Sequence, residues 1–157
     1  MFTSTLGTPL GQLIIRGNEE AVFYIGYGGD ADQQPNAITD QAKKELEEYF
    51  SGKRLDFTFP VAQPGTTFQH TVWKELTKIE AGKPVSYTAL SKRMNNPLAI
   101  RAIASANGKN NLMIVVPCHR VIGASGDLVG YAGGLWRKKW LLEHEANMTG
   151  SGQASLF

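Results

Sequence analysis

The sequence predicts an α/β layer followed by a mostly helical half. Two observations carry this. Short β-branched and aromatic runs separated by turn residues fill the first third. Amphipathic helical stripes dominate after residue 66. At 157 residues and 42% apolar composition, the chain suits one compact domain or two small ones with a real core.

The elements follow in order. "GQLIIRG" and "AVFYIGYGG" read as strands, with "GNEE" as the turn between them. In "NAITDQAKKELEEYFSGK", Ile38, Ala42, Leu46, Tyr49 and Phe50 share one helical face, and Gly52 can end that helix. Leu55, Phe57, Phe59 and Val61 alternate as in a half-buried strand. "AQPGTT" reads as a linker. Thr66 and Gln69 then have capping-box spacing ahead of an apolar stripe of Phe68, Val72, Leu76 and Ile79.

"EAGKPV" breaks that helix, and Ser86 is positioned to cap the short helix "YTALSKRM". Asn96 is expected to cap a further helix with Pro97 at its first position. That helix, "PLAIRAIASANGK", turns Ala99, Ala102, Ile103 and Ala106 to one side and Arg101 and Ser105 to another. Two short helices joined by an Asn/Pro turn outline a helix-turn-helix, although a plain packed helical hairpin, the commoner arrangement, gives the same pattern. "NLMIVVP" reads as a buried strand or extended segment ending at Pro117. "LWRKKWLLEHEA" is a last helix joining apolar and basic residues, and "NMTGSGQASLF" a small, polar tail expected to be mobile.

Residues 1–84 hold 8 Lys/Arg against 11 Asp/Glu, and residues 85–157 hold 8 against 3. A basic C-terminal half suits a polyanion, nucleic acid first, and an ordinary solvated surface equally. The first 17 residues lack the pattern of a signal peptide, and no apolar run approaches 20 residues, so no membrane association is expected. One cysteine makes neither an internal disulfide nor a multi-thiolate zinc site, and a cytoplasmic location is the default expectation.

That cysteine is Cys118, in "IVVPCHRVIG". A lone cysteine is most often a small buried hydrophobe. Here Pro117 forces a turn at the thiol, and His119 and Arg120 supply a base and a positive charge beside it. Adjacent side chains on an extended backbone face opposite ways, so a bridging water is needed between Cys118 and His119. Glu145 in "LLEHE" can hold the imidazole, although by itself it reads first as a solvated helix-end charge.

"IVVPCHRVIG" closely resembles the active-site signature of the O6-alkylguanine-DNA alkyltransferases. "GTTFQHTVWKELTKIEAGKPVSYTALSKRM", "AIRAIASANGKNN", "GYAGGLWRKKWLLEHE" and "GTPLGQLII" resemble further family segments in the family order, over roughly residues 1–146. The resemblance implies an RNase H-like α/β domain (1–62), a linker (63–66), a mostly helical winged helix-turn-helix-like domain (67–146) and a tail (147–157). It implies a single-turnover DNA-repair transferase that acts as a monomer on double-stranded DNA containing alkylated guanine. The base is flipped out and its alkyl group moves irreversibly to Cys118, with no cofactor.

Residue by residue, the resemblance makes Cys118 the acceptor, His119 its water-mediated base and Glu145 the orienter of His119. Asn110 would brace the active-site turn, and Tyr87 would rotate the 3′ phosphate and donate to guanine N3. Arg101 would fill the gap left by the flipped base, on a DNA-binding helix that also presents Ala102 and Ser105. Tyr131, Ala132, Val121 and Lys138 would belong to the base pocket. The carbonyls of Cys118 and Val121 would accept from the exocyclic amine, and the Ala132 N–H would face O6.

The chemistry fits such roles. Displacement at an alkyl carbon needs a thiolate but no oxyanion hole, guanine needs a proton or hydrogen bond to leave, and its O6 is out of reach inside a duplex. Two features depart from the family pattern. Asn110-Asn111 stands where many relatives have Asn-Pro, and His70, His119 and His144 form no N-terminal cluster, so no metal is expected. Rival readings are a non-catalytic alkylated-DNA binding protein, which lacks the cysteine, a Cys/His thiol hydrolase, which turns over, and a helix-turn-helix regulator without chemistry.

Overall fold

The computed structural model describes residues 1–29 and 32–150, which divide into two compact units. Unit 1 comprises Met1–Pro64 and Asn111–Val115, and unit 2 comprises Gly65–Asn110 and the chain from Val116 onward. Residues 111–115, expected with the C-terminal domain, thus belong to unit 1. Residues 151–157 of the expected tail lie outside the described residues, and 147–149 are helical. Among the described residues no helix is long and apolar enough to cross a membrane.

In unit 1, strands β1 (Phe2–Thr8), β2 (Gly11–Gly17) and β3 (Val22–Tyr27) form an antiparallel meander. Register pairs Ser4 with Ile15 and Ile15 with Ile25, which sets Leu13, Ile15 and Ile25 in the core. Helix α1 (Ala37–Phe50) starts at a capping box between Asn36 and Thr39 and buries Ala42, Leu46 and Tyr49. Ser4 Oγ donates to Thr39 Oγ1 at 2.9 Å, fixing the helix start on β1.

Residues 55–61, expected as a strand, form only an isolated bridge, at Val61. The buried Glu45 carboxylate accepts from the Thr58 N–H and hydroxyl, each at 2.7 Å, so a side chain of α1 takes the place of a neighbouring strand. The segment meets β3 only by a parallel bridge between Val22 and Val61. Residues 111–117, expected as a buried strand or extended segment, are likewise not a continuous strand. Leu112 makes one parallel bridge to Ile25, after which Ile114 adopts φ +74° and the Val115 N–H donates to the Met113 carbonyl at 2.8 Å. A β-branched residue at positive φ is rare and marks a tight local turn.

In unit 2, helix α2 (Thr67–Leu76) begins at the expected Thr66/Gln69 capping box and buries Val72, Trp73 and Leu76. The Trp73 indole donates to the Ala106 carbonyl at 2.9 Å, tying α2 to helix α4 (Ile100–Gly108). Helix α3 (Tyr87–Arg93) is capped by Ser86, whose hydroxyl accepts from the Ala89 N–H at 3.0 Å. Helix α4 starts at Ile100 with Ala99 as its cap, three residues later than expected. The Asn96 carbonyl instead accepts from the Ala99 N–H, which keeps Pro97 and Leu98 in a turn. Ala102, expected on the packed side, is exposed with Arg101 and Ser105.

Two-residue strands β4 (Val85–Ser86) and β5 (Val121–Ile122) pair in parallel, Val85 with Val121 and Ser86 with Ile122. This short ladder sets the first residue of α3 beside the segment that follows Cys118. Helix α5 (Leu135–Thr149) completes the unit and ends at Gly150 in the left-handed region, φ +67°.

Candidate active site around Cys118

Pro117 ends the incoming segment, and Cys118–Arg120 form one 3₁₀ turn rather than extended chain. Asn110 braces the approach, its Nδ2 donating to the Val116 carbonyl at 2.8 Å. The turn sets Cys118 at a cavity of about 360 Å³. Tyr87 from the start of α3, Ala104, Asn107 and Gly108 from the end of α4, and Val129–Ala132 ahead of α5 complete its walls. That volume lies within the usual range for a small-molecule site.

Burial pushes the Cys118 thiol above its ordinary value, against a hydrogen bond from Asn110 and the positive charge of Lys138. The resting group is therefore a neutral thiol, and a thiolate requires a base. His119, fully buried, places Nε2 at 2.9 Å from Glu145 Oε2. Its Nδ1 has no hydrogen-bond partner among the described residues, which leaves that nitrogen for a bridging water.

Glu145 is held more firmly than a single histidine contact allows. Arg120 Nε donates to Oε1 at 2.8 Å and Nη2 to Oε2 at 3.0 Å, while Nη1 donates to the Ile79 carbonyl at 2.7 Å. Burial would raise the Glu145 carboxyl, but His119 and Arg120 together hold it well below the usual carboxylate range. A carboxylate ionised at every ordinary pH fixes the orientation of the His119 ring.

The other expected residues fall into three groups. Tyr87, Tyr131 and Ala132 line the cavity. Arg101, Ala102 and Ser105 lie on the exposed face of α4. Val121 and Lys138, expected in the pocket, do not line it. Val121 is fully buried, and Lys138 Nζ donates to the carbonyls of Val121 and Val129 at 2.6 Å and of Gly130 at 3.3 Å. Lys138 is thus a clamp behind the wall. Burial lowers its ammonium from an ordinary 10.5 to about 8, opposed by the Cys118 charge.

Two residues escaped the sequence reading of the site. Arg120 was read as a charge near the thiol, and its contiguity with Pro117-Cys118-His119 was the available signal. Asn107 carried a weaker one, a carboxamide among Ile103 and Ala106 on the packed side of α4.

Residues 67–147 match the family described as "6-O-methylguanine DNA methyltransferase, DNA binding domain", and residues 1–63 match its ribonuclease-like domain. The chain belongs to the 6-O-methylguanine DNA methyltransferase family. A methylated-DNA–protein-cysteine methyltransferase of Methanosarcina acetivorans is 37% identical over 155 residues, covering 94% of this chain and 99% of that protein. One from Shigella flexneri is 46% identical over 121 residues, covering 76% and 68%. The crystal structure of Mycobacterium tuberculosis OGT in complex with DNA matches with a TM-score of 0.86 at 36% identity, covering 94% of each chain. The family architecture, a ribonuclease-like domain before a DNA-binding domain, is therefore that of this chain.

Proposed function

We propose that this protein repairs DNA by moving the alkyl group of O6-alkylguanine irreversibly to Cys118, once per molecule. The observation that carries the reading is the buried thiol at a base-sized cavity, backed by His119, Glu145 and Arg120. The Cys118 proton leaves toward His119 Nδ1 through a water, and Glu145 stabilises the imidazolium. The thiolate attacks the alkyl carbon, an S–C bond forms and the C–O6 bond breaks. The electron pair returns to the guanine ring, where the Tyr87 hydroxyl offers hydrogen to N3.

Duplex DNA must release its base into the cavity for this to occur. The exposed face of α4, with Arg101, Ala102 and Ser105, is suited to the DNA, and Arg101 to the vacated stack. Residues 67–146 carry the chemistry and residues 1–62 form the accompanying domain. The acting unit in this reading is a monomer, as the family resemblance implies. O4-alkylthymine is a second candidate substrate.

The test is intact mass after mixing with an O6-methylguanine duplex, with the modified peptide mapped. The expected result is one added methyl on Cys118, no adduct in Cys118→Ala, and repair that stops at one guanine per active molecule. Repair that climbs past one favours a hydrolase, because a thioether has no labile acyl carbon for water to attack.

A further inference from the structure

Helix α5 buries Lys138, Leu141, Leu142, Glu145 and Ala146, a stripe along one helical face. Leu135 stands three residues before Lys138 and continues that stripe, yet it is 47% exposed, and Trp136 beside it is 57% exposed. The described residues thus leave the first turn of α5 largely uncovered. The Trp136 ring is nevertheless held in place. The Arg137 guanidinium lies over it, 4.7 Å from the ring centre, and Arg137 Nη1 donates to the Gly133 carbonyl at 3.0 Å. At Gly134 the ring's Cδ1 comes within 3.5 Å of where a β-carbon would sit. A large aromatic side chain fixed in position and left open to water is arranged for contact with a partner.

Position and charge say what covers it. Val129, Gly130 and Ala132 line the cavity and are also exposed, so they form one side of its mouth, and Gly108 at the end of α4 forms another. The Gly134 N–H closes back on the Tyr131 carbonyl at 2.9 Å, which sets the first turn of α5 directly beside that rim. No Asp or Glu occurs between Asp127 and Glu143, while Arg137, Lys138 and Lys139 do. An apolar surface within a cationic stretch suits nucleic acid, which presents sugars and bases between phosphates. Both the mouth and this turn lie within residues 67–147, the family's DNA-binding domain. A base that enters the cavity stays attached to its sugar, so its phosphates remain at the mouth. The strand that carries it must therefore cross the mouth, where Leu135 and Trp136 extend the rim.

We propose that Leu135 and Trp136 form a second DNA contact, separate from the exposed face of α4: the Trp136 ring packs on the nucleotides that flank the flipped base, in the strand that carries it, and holds that strand at the cavity mouth. This goes beyond the function proposed above and rests on it, since only a flipped base brings its strand there. The contact is to sugar and base surface, so it is indifferent to sequence. A free base has no strand and does not feel it.

The experiment measures the rate of alkyl transfer to Cys118, at subsaturating concentration, from three substrates: an O6-methylguanine duplex, the same modified strand unpaired, and free O6-benzylguanine. Trp136→Ala should react about tenfold more slowly with duplex and with single strand, the worth of one aromatic contact to a nucleotide. It should react with the free base as fast as the wild type does. Trp136→Phe should recover most of the loss. Leu135→Ser is an independent variant with the same expected pattern, and it decides should Trp136→Ala fail to fold. Unchanged rates on both DNA substrates overturn the proposal. Equal losses on all three substrates mean a disturbed cavity wall and overturn it as well. A loss confined to the duplex places the contact on the complementary strand, against the proposal. Sedimentation of the free wild type as a dimer that Trp136→Ala splits assigns the surface to a second copy of the chain and also overturns it. Absence of transfer by the wild type from every substrate overturns the proposed function and this contact together, an outcome distinct from wild-type transfer that Trp136→Ala leaves unchanged.

Discussion

Arg120 grips Glu145 from two directions, Nε to Oε1 at 2.8 Å and Nη2 to Oε2 at 3.0 Å, and the carboxylate is fully buried. Two parallel charge-assisted bonds specify geometry as well as energy. The carboxylate that orients His119 is therefore itself oriented; His119 and Glu145 are fully buried, and Arg120 is 8% exposed.

Removing Arg120 should be costly. Arg120→Ala leaves the Glu145 charge half-compensated and the Ile79 carbonyl without its donor. Breaking a buried pair from one side costs about 3–5 kcal/mol. Urea unfolding should show a loss of about 3 kcal/mol. A loss below ~1 kcal/mol would mean that the pair is solvated.

Acid should unfold the protein partly through Glu145. Its folded-state value lies below its unfolded value, so its contribution is fully present above about pH 4.5 and is lost progressively as pH falls below that. The stability gap between wild type and Glu145→Gln should be widest near neutrality and narrow below pH 4.5. A gap constant from pH 7 to pH 3 would contradict the assignment.

Lys138 should act in the opposite pH range. Its folded value is about 8 against an ordinary 10.5, so the unfolded chain binds more protons between the two. Wild-type stability should therefore rise relative to Lys138→Met as pH increases from 8 to 10.5. The same variant releases Val121, Val129 and Gly130. Methyl transfer should fall by an order of magnitude or so as the cavity wall loosens.

Arg101 is exposed on α4, clear of the cavity walls. Arg101→Ala should therefore slow transfer from duplex O6-methylguanine at least tenfold and leave reaction with free O6-benzylguanine nearly unchanged. Equal losses on both substrates would remove the role of filling the stack. Duplex affinity should also fall steeply with salt, through release of counterions from the phosphates.

Features that depend on near neighbours could be read directly. The Thr66/Gln69 box, the Ser86 cap and the Ala42-Leu46-Tyr49 face of α1 all rest on residues within a few positions of one another. Cys118, His119 and Glu145 were legible because their residue types and the flanking Pro117 and Arg120 form a specific pattern. What the sequence left open was decided by partners far along the chain. Residues 55–60 alternate like a strand, but Glu45, 13 residues before Thr58, takes the backbone N–H that a neighbouring strand would need. Residues 111–115 join unit 1 because Ile25 and Gln63 supply their hydrogen bonds. Arg120 became structural only when folding brought Glu145, 25 residues away, and the Ile79 carbonyl, 41 away, to its guanidinium. Asn107 meets the Tyr87 hydroxyl, 20 residues before it, only in the folded chain. Caps and amphipathic faces come from short-range sterics and periodicity, which a sequence displays. The pairing of buried polar groups is a condition of the whole fold, and only the tertiary structure shows which donor meets which acceptor.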